Sequence, residues 1–210
     1  AYLSCVPGII AMAPGDEDEL ADMMFTATHQ NQPTFIRYPR GSGEGVAVKE
    51  QPALIEIGKA EVRQNFSNSG KPKVAFFALG PMRGIADKAI EELGAENIDA
   101  AIINPRFTKP IDGGTTEFFA QAADVIVTIE DHVIKGGYGS IVRDHLGDCG
   151  ITTPMVRIGW PDQFIEHASS VGYLREKHGL TGANTAEQIR QALGQASEAS
   201  ARPNPALGQA

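Results

Sequence analysis

Short runs of β-branched and apolar residues alternate along this chain with segments whose apolar residues recur every three or four positions. The clearest run is Val125–Ile129, which reads as a strand buried on both faces. It ends in Glu130 and Asp131 and passes into a glycine-rich turn at Gly136, Gly137 and Gly139. Tyr138, Ile141, Val142, His145 and Leu146 then recur at helical spacing. Val74–Leu79, Ile98–Ile103 and Met155–Ile158 are further strands. Between them, Met82, Ile85, Ala86, Ala89, Ile90 and Leu93 mark a helix stopped near Gly94, and Thr116–Ala122 a shorter one. Val171, Leu174 and His178 mark a helix ended by Gly179. Asn184 and Glu187 read as a capping box ahead of Ile189 and Leu193. Strand–helix alternation of this kind predicts an α/β layer with a largely parallel sheet covered on both faces.

The first part of the chain reads differently. Ile9–Ala13 is a short strand, and Asp16 with Glu19 forms a capping box. Leu20, Met23, Met24 and Ala27 give the following helix its core face. Thr34–Tyr38 is a second strand. Asn65–Gly70 is a turn, and 104–112 a loop carrying Arg106 and Lys109. A glycine-rich stretch from Gly41 to about Pro52 contains the linker. The expected organisation is 1–45, a linker at 46–52, a domain at 53–194 and a disordered tail at 195–210. One helix and two strands cannot cover their own apolar surface, so 1–45 is too short to be a domain.

Composition narrows the function classes. A formal charge of −8 and a pI near 5.1 argue against a nucleic-acid surface. No apolar run reaches the length of a membrane span. Cys5 and Cys149 lie far apart and read as reduced thiols of a cytoplasmic protein. The five histidines are scattered, so no metal site is expected. The chain begins at Ala1 inside what looks like an element, which reads as a piece of a longer protein.

Three places can carry chemistry. Arg37-Tyr38-Pro39-Arg40-Gly41 sets arginines at a strand end beside a flexible turn, where a guanidinium can meet a phosphate or a carboxylate. Glu130 and Asp131, with His132 next to them, can do acid–base work, cap the following helix, or pair with Arg106 or Lys109. The glycines at 136, 137 and 139 can cradle an anion or simply turn the chain. Ser140 lacks a nucleophile-elbow context.

Taken together, these motifs resemble a known family. They are Met12-Ala13-Pro14-Gly15-Asp16-Glu17, Arg37–Gly41, Arg106–Asp112, Glu130-Asp131-His132 with Gly136–Ser140, and Gly159–Ile165. In this order and spacing the chain, from residue 1 to about 194, resembles the 1-deoxy-D-xylulose-5-phosphate synthases, a branch of the transketolase-like thiamine diphosphate enzymes. The resemblance implies the truncated end of a pyrimidine-binding α/β domain followed by a transketolase C-terminal-like α/β domain. It implies a homodimeric parent enzyme that uses thiamine diphosphate and Mg2+ to condense pyruvate with glyceraldehyde 3-phosphate, releasing CO2, for isoprenoid, thiamine and pyridoxal synthesis. It gives Arg40 to the substrate phosphate, with Arg37 and Tyr38 in support. It leaves the catalytic, cofactor-binding and metal residues upstream of Ala1, so this chain alone should be inactive. It also puts the glycine turn near a domain or subunit interface. Gln30–Pro33 departs from the family's usual Asp-Gly-Pro turn. The alternatives are a stand-alone dimerisation or anion-binding module, or part of another transketolase-type enzyme.

Overall fold

The computed structural model describes residues 1–41, 43–94, 98–167 and 169–201. Its main sheet is built from β3 (Glu61–Gln64), β4 (Lys73–Ala78), β5 (Asp99–Asn104), β7 (Val125–Val133) and β8 (Met155–Trp160), in the order β3-β5-β4-β7-β8. The last four strands of that order run parallel, and β3 pairs antiparallel with β5 at one edge. Strand alternation divides the core. Phe76, Val127 and Ile129 pack against α2 (Arg83–Leu93) and α6 (Gly182–Ala201). Phe77, Ile103 and Ile126 pack against α3 (Gly113–Ala122) and α4 (Tyr138–Asp148) on the other face. Each such fully buried side chain contributes roughly 1.5–3 kcal/mol. The chain leaves β4 for the first face and β5 for the second. The carboxyl ends of these two strands therefore form a topological switch point, where α/β sheets tend to bind ligands.

A second sheet joins the two ends of the expected domain boundary. β1 (Ile10–Met12) pairs parallel with β2 (Thr34–Ile36) and antiparallel with β6 (Phe107–Lys109). The 104–112 segment is thus not wholly a loop. It supplies the strand and the buried Phe107 that close a small core with Ile10, Met12, Met23 and Ile55. The early segment buries its apolar surface by borrowing from the larger domain. The linker is held as well. Glu17 accepts from Gly45 N (2.7 Å), Asp18 from Lys49 N (2.8 Å), and Asp22 from Lys49 Nζ and Ala53 N (2.7 Å each). The acidic side of α1 (Glu17–Thr28) is a rail for residues 45–53 as well as a favourable charge for the helix dipole.

Several local readings shift. Asp16 does cap α1, accepting from Glu19 N at 2.9 Å, but the Glu19 carboxylate bonds Gly15 N (2.6 Å) instead of closing the box. The core face of α1 is Glu19, Met23 and Thr26, while Met24 is 54% exposed. β2 stops at Ile36, short of Tyr38. α6 starts two residues before Asn184, and its cap is Thr181, whose Oγ1 accepts from Asn184 N at 3.2 Å. α6 continues to Ala201, so 195–201 is helical rather than tail, and 202–210 lies outside the described residues.

Candidate functional site

The motif arginines separate in space. Arg37, just past β2, reaches across to the end of β7. Its Nη2 donates to the Asp131 carboxylate (2.9 Å) and to the Asp131 carbonyl (3.0 Å). Asp131 also accepts from Trp160 Nε1 at 2.8 Å and lies 3.7 Å from Arg175 in α5 (Val171–Lys177). Burial pushes the Asp131 carboxyl up, but the Trp160 and Arg37 hydrogen bonds and the Arg175 charge outweigh it and hold it below the ordinary 3.8. Asp131 is therefore a latch between the two sheets. Its charged partners are Arg37, just past β2, and Arg175 of α5, not Arg106 or Lys109. Arg106 bonds Glu19 instead, and Lys109 Nζ donates to the Ser4 and Val6 carbonyls at 2.8 and 2.7 Å. Tyr38 is 59% exposed, and Arg40 is exposed with no hydrogen bond or ion pair among the described residues. Arg37 is thus occupied in holding the segment, while Arg40 has no such partner among the described residues.

Glu130 answers the question posed by the glycine turn. It is 1% exposed, and its carboxylate accepts from Tyr138 N (2.6 Å) and Gly139 N (2.9 Å). The helix N-terminus that might receive an outside anion is filled by the chain's own carboxylate. Gly137 is required by the close approach: a Cβ there would lie 2.1 Å from Glu130 Oε2 and 2.7 Å from the Val133 carbonyl. His132 is exposed, with Nδ1 2.8 Å from the Val133 carbonyl, and among the described residues no hydrogen bond joins it to Glu130.

The switch point opens into a cavity of about 860 Å³. Gly15 and Asp16 approach it from α1, Gly80 and Arg83 from the β4–α2 turn, and Asn104 and Arg175 from beyond. Arg63 beside it is paired with Glu61 at 3.0 Å, and Arg83 with Asp87 at 3.3 Å. Its cations are thus largely neutralised within the chain, and Arg40 does not line it.

Residues 59–184 match the family model for the transketolase C-terminal domain. The chain belongs to that family. The match takes in all of the main sheet, so the transketolase C-terminal domain is the α/β unit described above. Among curated relatives, the chain is 53% identical over 193 residues to the 1-deoxy-D-xylulose-5-phosphate synthase of Methylacidiphilum infernorum, covering 92% of this chain and 30% of that protein. It is 43% identical over 202 residues to the same-named enzyme of Acidobacterium capsulatum, covering 96% and 31%. The chain thus spans about 30% of the length of these relatives. Among solved structures it is similar to a split-gene transketolase described as an inactive β4 tetramer, with a TM-score of 0.75 and 28% identity over 90% of this chain and 59% of that one. A Pichia stipitis transketolase bound to sedoheptulose 7-phosphate shares the fold, with a TM-score of 0.63 and 12% identity over 94% and 27% of the two chains.

Sequence reasoning missed two features of this transketolase C-terminal domain chain. Glu19 read as half of a local cap, but it is buried and binds Asn104 and Arg106. The histidines read as scattered and Cys149 as an isolated thiol, but α3 and α4 bring His145 and Cys149 together with Glu117. The four-residue step from His145 to Cys149 is a visible signal of a shared helix face; nothing local points to Glu117.

Proposed function

We propose that this chain is the C-terminal part of a cytoplasmic, homodimeric enzyme that condenses pyruvate with glyceraldehyde 3-phosphate. The product is 1-deoxy-D-xylulose 5-phosphate, with release of CO2. The observation that carries this reading is the 53% identity over 193 residues, 92% of this chain, to a 1-deoxy-D-xylulose-5-phosphate synthase. Thiamine diphosphate and Mg2+ belong, on this reading, to the part of the enzyme beyond this chain. The donors here do not suit them. Among the described residues, the grouping of His, Cys, Asp or Glu donor atoms that comes together is Glu117, His145 and Cys149, and Mg2+ favours oxygen over nitrogen and sulfur. Glu130 fills the glycine turn, so the turn's backbone N–H groups are not open to an outside anion. No step through the cofactor is therefore assigned to these residues.

The expected result for the purified 210-residue chain, given thiamine diphosphate, Mg2+ and both substrates, is no 1-deoxy-D-xylulose 5-phosphate. Turnover would overturn the placement of the catalytic residues elsewhere.

Arg40 is the proposed contact for the glyceraldehyde 3-phosphate phosphate, with Arg37 fixing the segment through Asp131 and Tyr38 beside it. In the complete enzyme, Arg40→Ala should weaken binding of that substrate by about 1.5–3 kcal/mol, the scale of a hydrogen bond to a charged group. That is a rise of roughly 10- to 150-fold in its KM, with the pyruvate KM little changed. An unaltered phosphate-substrate KM would remove Arg40 from the site.

The split-gene neighbour favours a second reading, in which this chain is a separately made subunit that needs a partner for activity. The reading frame upstream of Ala1 separates the two. A continuous frame with a Gly-Asp-Gly motif supports a single-chain enzyme. A stop codon followed by a start near residue 1 supports the subunit.

A further inference from the structure

α3 and α4 pack side by side on one face of the main sheet. His145 in the last turn of α4 and Cys149 at its C-cap are one turn apart and face α3, where Glu117 meets them. Glu117 Oε1 lies 2.9 Å from His145 Nε2, Cys149 Sγ lies 4.0 Å from the same nitrogen, and all three donor atoms fall within 4.8 Å of one another. Gly113 leaves the space the imidazole uses: a Cβ there would stand 2.9 Å from Cε1 and 3.0 Å from Nε2 of His145. The ring is thereby seated against the first turn of α3 with Nε2 turned toward both other donors.

We propose that Glu117, His145 and Cys149 form a binding site for a divalent zinc-type ion. A carboxylate oxygen, an imidazole nitrogen and a thiolate sulfur are the donors zinc accepts, whereas Mg2+ and Ca2+ take oxygen. Zinc bonds of about 2.0–2.3 Å in a tetrahedron put neighbouring donor atoms about 3.3–3.8 Å apart. The 2.9 and 4.0 Å separations bracket that range, so small side-chain adjustments complete the geometry. Three protein ligands leave the fourth position to water. On binding, the Cys149 S–H bond breaks and its proton goes to solvent, and the proton shared between His145 Nε2 and Glu117 Oε1 is also released, His145 keeping a proton on Nδ1, so that the sulfur, nitrogen and oxygen electron pairs form the bonds to the metal. The surroundings suit a cation. The Glu117 and Asp148 carboxylates beside Cys149 supply negative charge that a bound dication meets.

Cobalt(II) is the probe, because a thiolate ligand gives it a near-ultraviolet charge-transfer band. Titrating the 210-residue chain should give that band, saturating at one Co2+ per chain and competed away by Zn2+. Cys5→Ser should leave it unchanged and Cys149→Ser should abolish it. His145→Ala should weaken Co2+ binding at least about ten-fold. No band at saturating Co2+, a band that survives Cys149→Ser, or one lost with Cys5→Ser would overturn the site. A measurement on the unaltered chain guards against misfolded variants. Zn2+ should protect Cys149, and not Cys5, from alkylation mapped by peptide mass, and equal alkylation of Cys149 with and without Zn2+ would overturn the proposal.

Discussion

Glu19→Ala is expected to lower the unfolding free energy by about 3–5 kcal/mol, the cost of leaving one member of a buried ion pair without its partner. Glu19 is buried, yet its two oxygens serve three donors. Gly15 N donates to Oε2 at 2.6 Å, Asn104 Nδ2 sits 2.9 and 2.8 Å from the two oxygens, and Arg106 Nε donates to Oε1 at 2.7 Å. Alanine would strand all three donors. Arg106 would be the worst placed, because it holds a left-handed backbone (φ 60°) and keeps only Glu61 at 3.3 Å as a charge partner. The same carboxylate joins the start of α1 to the end of β5 and the turn into β6. The damage should therefore concentrate where the small sheet meets the large one. Urea unfolding would give the magnitude, and amide exchange the location: β1 and β6 should lose protection before β4 and β7. Glu19→Gln, which keeps one acceptor, should fall between the two. A loss under about 1 kcal/mol would reduce the network to an ordinary surface pair.

This network also marks where the sequence stops being readable. The main sheet is legible because its strands are fully buried and β-branched, and its helices show one apolar face each. Period and composition then agree with burial. β6 is not legible. It is three residues long, lies close to Pro105 and Pro110, and pairs with a strand far upstream. Short-range patterning holds no information about that partner. The Asp16–Glu19 pattern is right about the cap and silent about the carboxylate, because a glutamate at that position can turn inward or back. The α1 face shifts for a related reason. Thr26 takes a core position by accepting Ile55 N at 2.9 Å through its hydroxyl, so a polar residue is buried and Met24 is left outside. The end of α6 fails in the opposite direction. Its Ala, Gln and Ser composition reads as low complexity, but Ala and Gln are good helix formers and continue a helix already anchored by Ile189. At the site, the strand-end arginines stand out by type. Only the fold reveals that Arg37 is committed to Asp131 while Arg40 has no partner among the described residues.

Glu130→Ala is expected to cost about 2–6 kcal/mol, since each of two buried donors left unsatisfied costs roughly 1–3 kcal/mol. The donors are Tyr138 N and Gly139 N in the first turn of α4, and the Gly137 N-cap supplies no side chain to replace the lost acceptor. Glu130→Gln keeps the volume but turns an amide NH2 toward one of those N–H groups, so it should recover only part of the loss. The turn has no room for an alternative cap. Any side chain at Gly137 meets Glu130 itself, and a Cβ at Gly139 would lie 2.5 Å from Thr128 Oγ1. The pH dependence has a definite sign. Burial raises the Glu130 pKa above its ordinary 4.5, and the Gly139 and Tyr138 hydrogen bonds offset this only in part. Folding then favours the protonated form. The contribution from this titration is fully present below about pH 4.5 and is lost as pH rises through the raised folded value. The Asp131 latch runs the other way, because its folded pKa is depressed: its contribution is present above 3.8 and is lost as pH falls through the folded value. Thermal unfolding of the parent and of Glu130→Gln across this range should therefore diverge most at the acid end. A penalty that grows with rising pH would mean that the backbone donors, not burial, control the Glu130 proton. The turn would then be an anion site filled by a permanently charged carboxylate.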